Sequence, residues 1–162
     1  MIIHVKNKNT LIIDDFEFKC CVGKNGLNYN KKEGDYSTPK GLFNLKRLYF
    51  RENRVDIPRC RIKKKIIRKN MAWCDDPKDK KYNEEIKTHN RNLKENLYRT
   101  DHKYDYLISI NHNEKKIPNK GSAIFIHLTE NYEPTSGCIA LKKKDFEILL
   151  KLIDKKSKIK IG

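Results

Sequence analysis

The sequence lacks the residue patterns that mark several common kinds of site. It contains no CxxC pair, no HExxH motif and no Cys/His spacing of the zinc-binding type. Its five cysteines are an odd number, so at least one thiol has no partner within the chain, which argues against a scaffold held by disulfides. We therefore expect no metal site and no cofactor.

Long apolar runs are also missing. No stretch approaches the length that spans a membrane. The first residues, Met1-Ile-Ile-His-Val5, do not form a basic segment followed by an apolar one. From this sequence we expect no transmembrane segment, and no signal peptide is visible.

Acidic residues are few relative to basic ones. Lys and Arg number 37 against 21 Asp and Glu, for a formal net charge of +16. Such a charge attracts polyanions such as nucleic acid, anionic lipid or an acidic cell-wall matrix. However, the lysines are scattered beside Asn and Ile, a mixture that genome composition alone produces, and aromatics are not interleaved with them on one face. A basic nucleic-acid-binding protein is therefore a distant alternative, and we expect no nucleic-acid partner.

The 162 residues suit one folded domain, 1–162, because eight Tyr, six Phe and one Trp are too many aromatics for a disordered chain. Apolar residues at positions 146, 149, 150 and 153 share one face of a helix. The segment from about 51 to 103 is charged and weakly periodic, which predicts an insertion of long loops and short helices. Short apolar runs between turn residues predict strands at 2–5, 11–13, 16–22, 42–50, 104–110, 123–127 and 157–161. The expected fold is mainly β with a few helices.

A histidine and a cysteine near the end of the chain could form a reactive pair. His127 ends an apolar strand, and Cys138 follows eleven residues later, after Pro134 and Gly137 allow the chain to turn back. A thiol ionises at a pKa of about 8.5, and a neighbouring imidazolium lowers that pKa enough to hold a thiolate. The histidine can then return a proton to a leaving amine. A buried structural Cys and a core His remain open alternatives at this point.

The turn before the thiol is a candidate oxyanion site. Gly137 has no Cβ, so a substrate carbonyl can approach the backbone there. We expect the N–H groups of Gly137 and Cys138, beside Ser136, to face the developing oxyanion.

Gly121-Ser-Ala-Ile-Phe-Ile-His127, with Pro134-Thr-Ser-Gly-Cys-Ile-Ala-Leu141, resembles the catalytic signature of the L,D-transpeptidases (YkuD-like). The similarity runs from about residue 20 to the C-terminus. Further segments are similar to the same family, some of them to a compact proteobacterial branch: Gly34-Asp35, Thr38-Pro-Lys-Gly-Leu-Phe43, Trp73-Cys-Asp-Asp-Pro77, Tyr82-Asn83 and Tyr104-Asp105.

The resemblance implies a β-sandwich catalytic domain with Cys138 as nucleophile and His127 as base. It also implies peptidoglycan stem peptides as substrate, covalent inhibition by carbapenems, and a place in the periplasm or cell envelope. The expected reaction is an L,D-transpeptidation through a cysteine thioester that forms cross-links between stems. If water resolves the same thioester, the enzyme is an L,D-carboxypeptidase or an amidase.

This chain departs from the family pattern at two positions near the thiol. Many members carry His two residues before the Cys and Arg two residues after it, where this chain has Ser136 and Ala140. We expect a basic residue of the insertion, Arg54 or Arg99, to supply the missing charge. The other candidates for substrate contacts are Trp73, Asp75, Asp76, Tyr104 and Thr135, with the two aspartates suited to a substrate amine.

Overall fold

The computed structural model describes residues 1–88 and 94–162, which form fourteen short strands and one helix. The strands are β1 (Ile2–Lys6), β2 (Thr10–Ile13), β3 (Phe16–Cys21), β4 (Leu27–Asn28), β5 (Thr38–Pro39), β6 (Gly41–Phe50), β7 (Lys64–Ile66), β8 (Met71–Trp73), β9 (Glu85–Lys87), β10 (Glu95–Asn96), β11 (Tyr106–Ile110), β12 (Phe125–Leu128), β13 (Ile139–Leu141) and β14 (Lys158–Ile161). The helix, α1, is Lys143–Leu152. The expectation of a mainly β protein is confirmed.

Nine strands form one sheet in the order β11-β12-β13-β3-β2-β1-β14-β6-β7. The ten-residue strand β6 pairs with β14 through its first part, where Gly41 lies opposite Ile161, and with β11 through its second part, where Tyr49 lies opposite Leu107. These pairings close the sheet into a barrel-like form. The expected β-sandwich is not confirmed: the structure shows one sheet that closes on itself.

Alternating apolar residues explain why these segments form strands around one core. Ile3 and Val5 in β1, and Ile159 and Ile161 in β14, point inward, while their neighbours in each strand are more exposed. The helix covers one side of this core with buried Phe146, Leu149 and Leu150, as its periodicity predicts. It is the one helix of the described residues, and it is too short to cross a membrane.

The insertion differs from the expectation of short helices. Among residues 51–88 and 94–103 the structure shows strands and turns but no helix. Strand β7 extends the main sheet beside β6, and β10-β8-β9 form a separate three-stranded sheet. The physical reason is that this segment has no apolar stripe at helical spacing. Instead, Met71 and Ala72 of β8 are buried, together with Leu97 in the bend that follows β10.

The strands β12 and β13 bring the two predicted reactive residues together. They are parallel neighbours, with His127 opposite Ala140. Side chains two residues apart lie on the same side of a strand, so Cys138, which directly precedes β13, is on the side of Ala140 and His127. The pairing of these two strands therefore places Cys138 close to His127, although they lie eleven positions apart in sequence.

Candidate active site

Cys138 and His127 line the same cavity, which has a volume of about 360 Å³. Six further candidate site residues also line it: Asp75, Arg99, Tyr104, Thr135, Ser136 and Gly137. Trp73, Asp76 and Arg54 do not. The cavity thus joins the turn before the thiol to one side of the insertion.

The Cys138 side chain is held as a protonated thiol. The residue is only 9% exposed. Its Sγ–H donates to Ala123 O at 3.2 Å, and Sγ accepts the N–H of Phe125 at 3.3 Å. Burial raises the pKa of the Cys138 thiol to about 12, and the Phe125 hydrogen bond opposes this only in part. In the resting site the sulfur is therefore a protonated thiol and not the expected thiolate, because burial removes it from water.

His127 is held as a neutral imidazole. Its ring is buried, and Nδ1 lies 2.9 Å from Leu128 O. A carbonyl can only accept, so Nδ1 carries the proton and Nε2 is left unprotonated. Burial lowers the pKa of His127 to about 4, and the positive charges of Lys103 and Arg99 act in the same direction. The ring packs edge to face on Tyr104, with centroids 5.3 Å apart. Its free nitrogen is suited to accept a proton.

The backbone conformation and close packing at position 137 require a glycine. Its φ is +146°, and a Cβ at this position would lie 2.8 Å from Ser37 O. Thr38 Oγ1 donates to Gly137 O at 2.8 Å, which fixes this close approach. On the other side, Gly137 N–H donates to Thr135 Oγ1 at 3.1 Å, and that hydroxyl donates to Cys138 O at 2.6 Å. The Gly137 N–H, predicted to face an oxyanion, already has a partner within the turn.

Three candidate residues serve other parts of the structure. Trp73 packs edge to face on Phe125, with centroids 5.2 Å apart, and so supports β12 as a partly buried side chain against the core. Asp76 accepts the backbone N–H of Lys78 in a turn. Arg54 donates to Asp105 Oδ1 at 3.0 Å and to backbone carbonyls of the loop before β11. It fastens that loop, whereas Arg99 reaches the cavity.

Arg99 is already paired within the cavity wall. It makes a bidentate contact with Asp101, at 2.9 and 2.7 Å, and its Nη1 lies 3.6 Å from Glu95 Oε1. Tyr104 OH donates to the same Glu95 oxygen at 2.7 Å. Burial raises the pKa of Glu95 and also that of Asp75. Two carboxyl groups of the insertion therefore line the cavity opposite the thiol turn.

Sequence reasoning did not single out five charged residues of the cavity: Lys31, Glu33, Glu95, Lys103 and Glu133. Lys31 is only 5% exposed, and its Nζ contacts Asp35 at 2.5 Å. Burial works against ionisation of Asp35, but the hydrogen bonds from Lys31 and from the backbone of Lys32 and Ser37 lower its pKa to about 2. The Gly34-Asp35 segment was the available signal for this pair. In a chain so rich in Lys, nothing distinguishes Lys31 or Lys103 by sequence.

The family that this sequence resembles uses a cysteine and a histidine of this kind. The sequence model of the YkuD family, the L,D-transpeptidase catalytic domain, matches residues 2–161. No curated protein matches the chain.

Two solved structures are similar in fold. The helical cell shape determining protein Pgp2 from Campylobacter jejuni is 18% identical with a TM-score of 0.53, and the match covers 99% of this chain and 46% of that one. Bd1075 from Bdellovibrio bacteriovorus is 13% identical with a TM-score of 0.51, over 99% of this chain and 47% of that one. This chain thus spans less than half the length of either. Because the family model matches nearly every residue, the protein belongs to the L,D-transpeptidase (YkuD) catalytic domain family.

Proposed function

We propose that the protein is a peptidoglycan L,D-transpeptidase that forms cross-links between stem peptides through a thioester on Cys138. The observation that carries the proposal is that Cys138 and His127 line one cavity, with His127 Nε2 left free by the Nδ1 hydrogen bond to Leu128 O. Family membership supports peptidoglycan as the substrate class. Action on peptidoglycan requires a location in the cell envelope.

In the first half-reaction Cys138 Sγ attacks the carbonyl of a diamino-acid residue in the donor stem. The S–C bond forms as His127 Nε2 takes the thiol proton, because a thiol with a pKa near 12 does not ionise in advance. The carbonyl oxygen becomes an oxyanion. When this intermediate collapses, the C–N bond breaks and His127 returns the proton to the amine of the departing D-amino acid.

In the second half-reaction an amine of the acceptor stem attacks the thioester carbonyl. His127 takes a proton from the incoming nitrogen, and the C–S bond breaks with return of a proton to Sγ. The products are an amide cross-link and free enzyme. If water attacks in place of the amine, the same steps give a shortened stem and no cross-link.

The backbone N–H of Cys138 is the proposed oxyanion donor. The Gly137 N–H is bonded to Thr135 Oγ1, so it contributes only if that contact opens. Ser136 is exposed at the cavity, where its hydroxyl is available to a substrate.

The charged lining suits a substrate that carries both an ammonium and a carboxylate. Asp75 and Glu95 offer acceptors for the ammonium. For the carboxylate we propose Lys103, which lines the cavity and forms no ion pair with the residues that the structure describes. Arg99 is a weaker candidate for the missing family arginine, because Asp101 already occupies its guanidinium.

Mass spectrometry of muropeptides tests the proposal. Purified stem tetrapeptide muropeptides are incubated with the protein, with Cys138→Ser and with Cys60→Ser as the matched thiol control. We expect cross-linked dimers from wild type and Cys60→Ser, and none from Cys138→Ser. Shortened monomers without dimers would replace the transpeptidase assignment by a carboxypeptidase, and unchanged muropeptides would refute both.

A further inference from the structure

One carboxamide of the insertion is joined to the thiol through a single residue. Asn83 Oδ1 accepts Trp73 Nε1–H at 3.0 Å and the backbone N–H of Ala123 at 3.2 Å. Its Nδ2 donates to the carbonyl oxygens of His112 and Asn113, each at 3.0 Å. Every hydrogen-bonding position of the amide is therefore used, and its orientation is fixed by its partners.

The backbone places this amide rigidly. Asn83 lies in the loop between β8 and β9, with φ at +59°, and its N–H donates to Cys74 O at 2.8 Å. An Asn tolerates a positive φ better than most residues. The side chain is thus presented from a fixed point of the insertion toward β12.

Ala123 connects Asn83 to the sulfur. Its φ is +53°, a left-handed conformation that residues other than glycine disfavour. Its N–H is held by Asn83 Oδ1, and its carbonyl accepts the Cys138 thiol proton at 3.2 Å. Strain of this kind persists only where surrounding contacts impose it, and the Asn83 hydrogen bond is such a contact.

We propose that Asn83 is a positioning residue that holds Ala123 in its strained conformation and thereby keeps the Cys138 thiol protonated in the resting enzyme. A thiol gains an acceptor in the Ala123 carbonyl, whereas a thiolate would face the negative end of that dipole. The inference rests on the proposed function only in taking Cys138 as the nucleophile.

The charged and titratable groups around the thiol do not include Asn83, and none of the four hydrogen bonds of its amide goes to them. Loss of the amide therefore acts on the sulfur through Ala123 and not through a change in these charges. The groups that act on the thiol or line its cavity are Lys31, Glu33, Asp75, Glu95, Arg99, Lys103, Tyr104, His127 and Glu133.

Replacement of Asn83 by glycine tests the proposal. Glycine accepts the φ of +59° without strain, so Asn83→Gly removes the amide alone. We expect Ala123 to relax, its carbonyl to turn from the sulfur, and iodoacetamide to alkylate Cys138 about threefold faster at each neutral to mildly alkaline pH. Peptide mapping separates Cys138 from the partly exposed Cys60. The matched control is Asn7→Gly, at a φ of 58° in the exposed turn after β1, for which we expect the wild-type rate.

Asn83→Asp distinguishes positioning from mere loosening. It loses both donors to His112 O and Asn113 O but keeps an oxygen acceptor for Ala123 N–H, so we expect alkylation no faster than wild type. Simple loosening would accelerate both variants. The ultraviolet absorbance of the thiolate provides a second reading and should appear at lower pH in Asn83→Gly alone.

A wild-type rate in Asn83→Gly, or equal acceleration in Asn83→Asp, would overturn the proposal. If Asn83→Gly does not fold by circular dichroism, the aspartate variant decides: faster alkylation overturns the proposal and the wild-type rate supports it. Alkylation needs no peptidoglycan, so a failure of the muropeptide assay is distinguishable from a failure here.

Discussion

Acid should destabilise the folded protein through His127 by an amount that the structure allows to be worked out. Burial lowers the pKa of this imidazole from 6.5 to about 4. Between these pH values His127 is therefore protonated in the unfolded chain but neutral in the folded protein. The contribution is fully present above pH 6.5 and is lost as the pH falls through 4. A difference of about 2.5 pH units corresponds to about 3 kcal/mol of unfolding free energy.

His127→Gln removes this titration while keeping a polar side chain. Urea unfolding of both proteins, at neutral pH and near pH 4, gives the free energy of unfolding at each pH. Titrations of other groups are shared and cancel in the comparison. We expect wild type to lose about 3 kcal/mol more than the variant across this interval. Parallel losses would refute the burial of a neutral imidazole at this position.

Further expected outcomes concern the thiol and its turn. Gly137→Ala places a Cβ against Ser37 O at a positive φ, so we expect urea unfolding to show a loss of at least about 1 kcal/mol, and the muropeptide assay to show no dimers; wild-type stability would contradict the close approach. Iodoacetamide alkylation of Cys138 should rise about tenfold per pH unit, without a plateau near neutral pH; such a plateau would indicate a preformed thiolate. Ala123→Gly removes the strain of a φ of +53° and should raise the free energy of urea unfolding by about 0.5 kcal/mol. A fall in this free energy would show that Ala123 is not strained.

Local sequence patterns predict most of the strands but not how the sheet closes. Alternation places Ile3 and Val5 inside β1, and the same rule works for β14. By contrast, β6 pairs with two different strands along its length, and nothing in residues 41–50 distinguishes the part that meets β14 from the part that meets β11. The helices expected in the insertion are absent from residues 51–88 and 94–103, because charge without periodicity does not determine a secondary structure.

The reactive pair could be predicted because residue type and local spacing indicate its chemistry. Cys138 and His127 lie on neighbouring strands near each other in sequence, so few folds would separate them. Glu95 and Lys31 acquire their places only through tertiary contacts, with Tyr104 in one case and Asp35 in the other. The raised thiol pKa likewise depends on burial, which sequence alone does not give.

Intact-mass measurement after incubation with a carbapenem asks whether Cys138 is the nucleophile. The β-lactam carbonyl offers the same acyl chemistry as the stem peptide, and ring opening leaves a stable thioester. Wild type and Cys60→Ala should each gain the mass of one inhibitor molecule, mapped to Cys138, and Cys138→Ala should gain none. An unmodified wild-type protein, or an adduct that persists in Cys138→Ala, would contradict the assignment of this thiol as the acylated group.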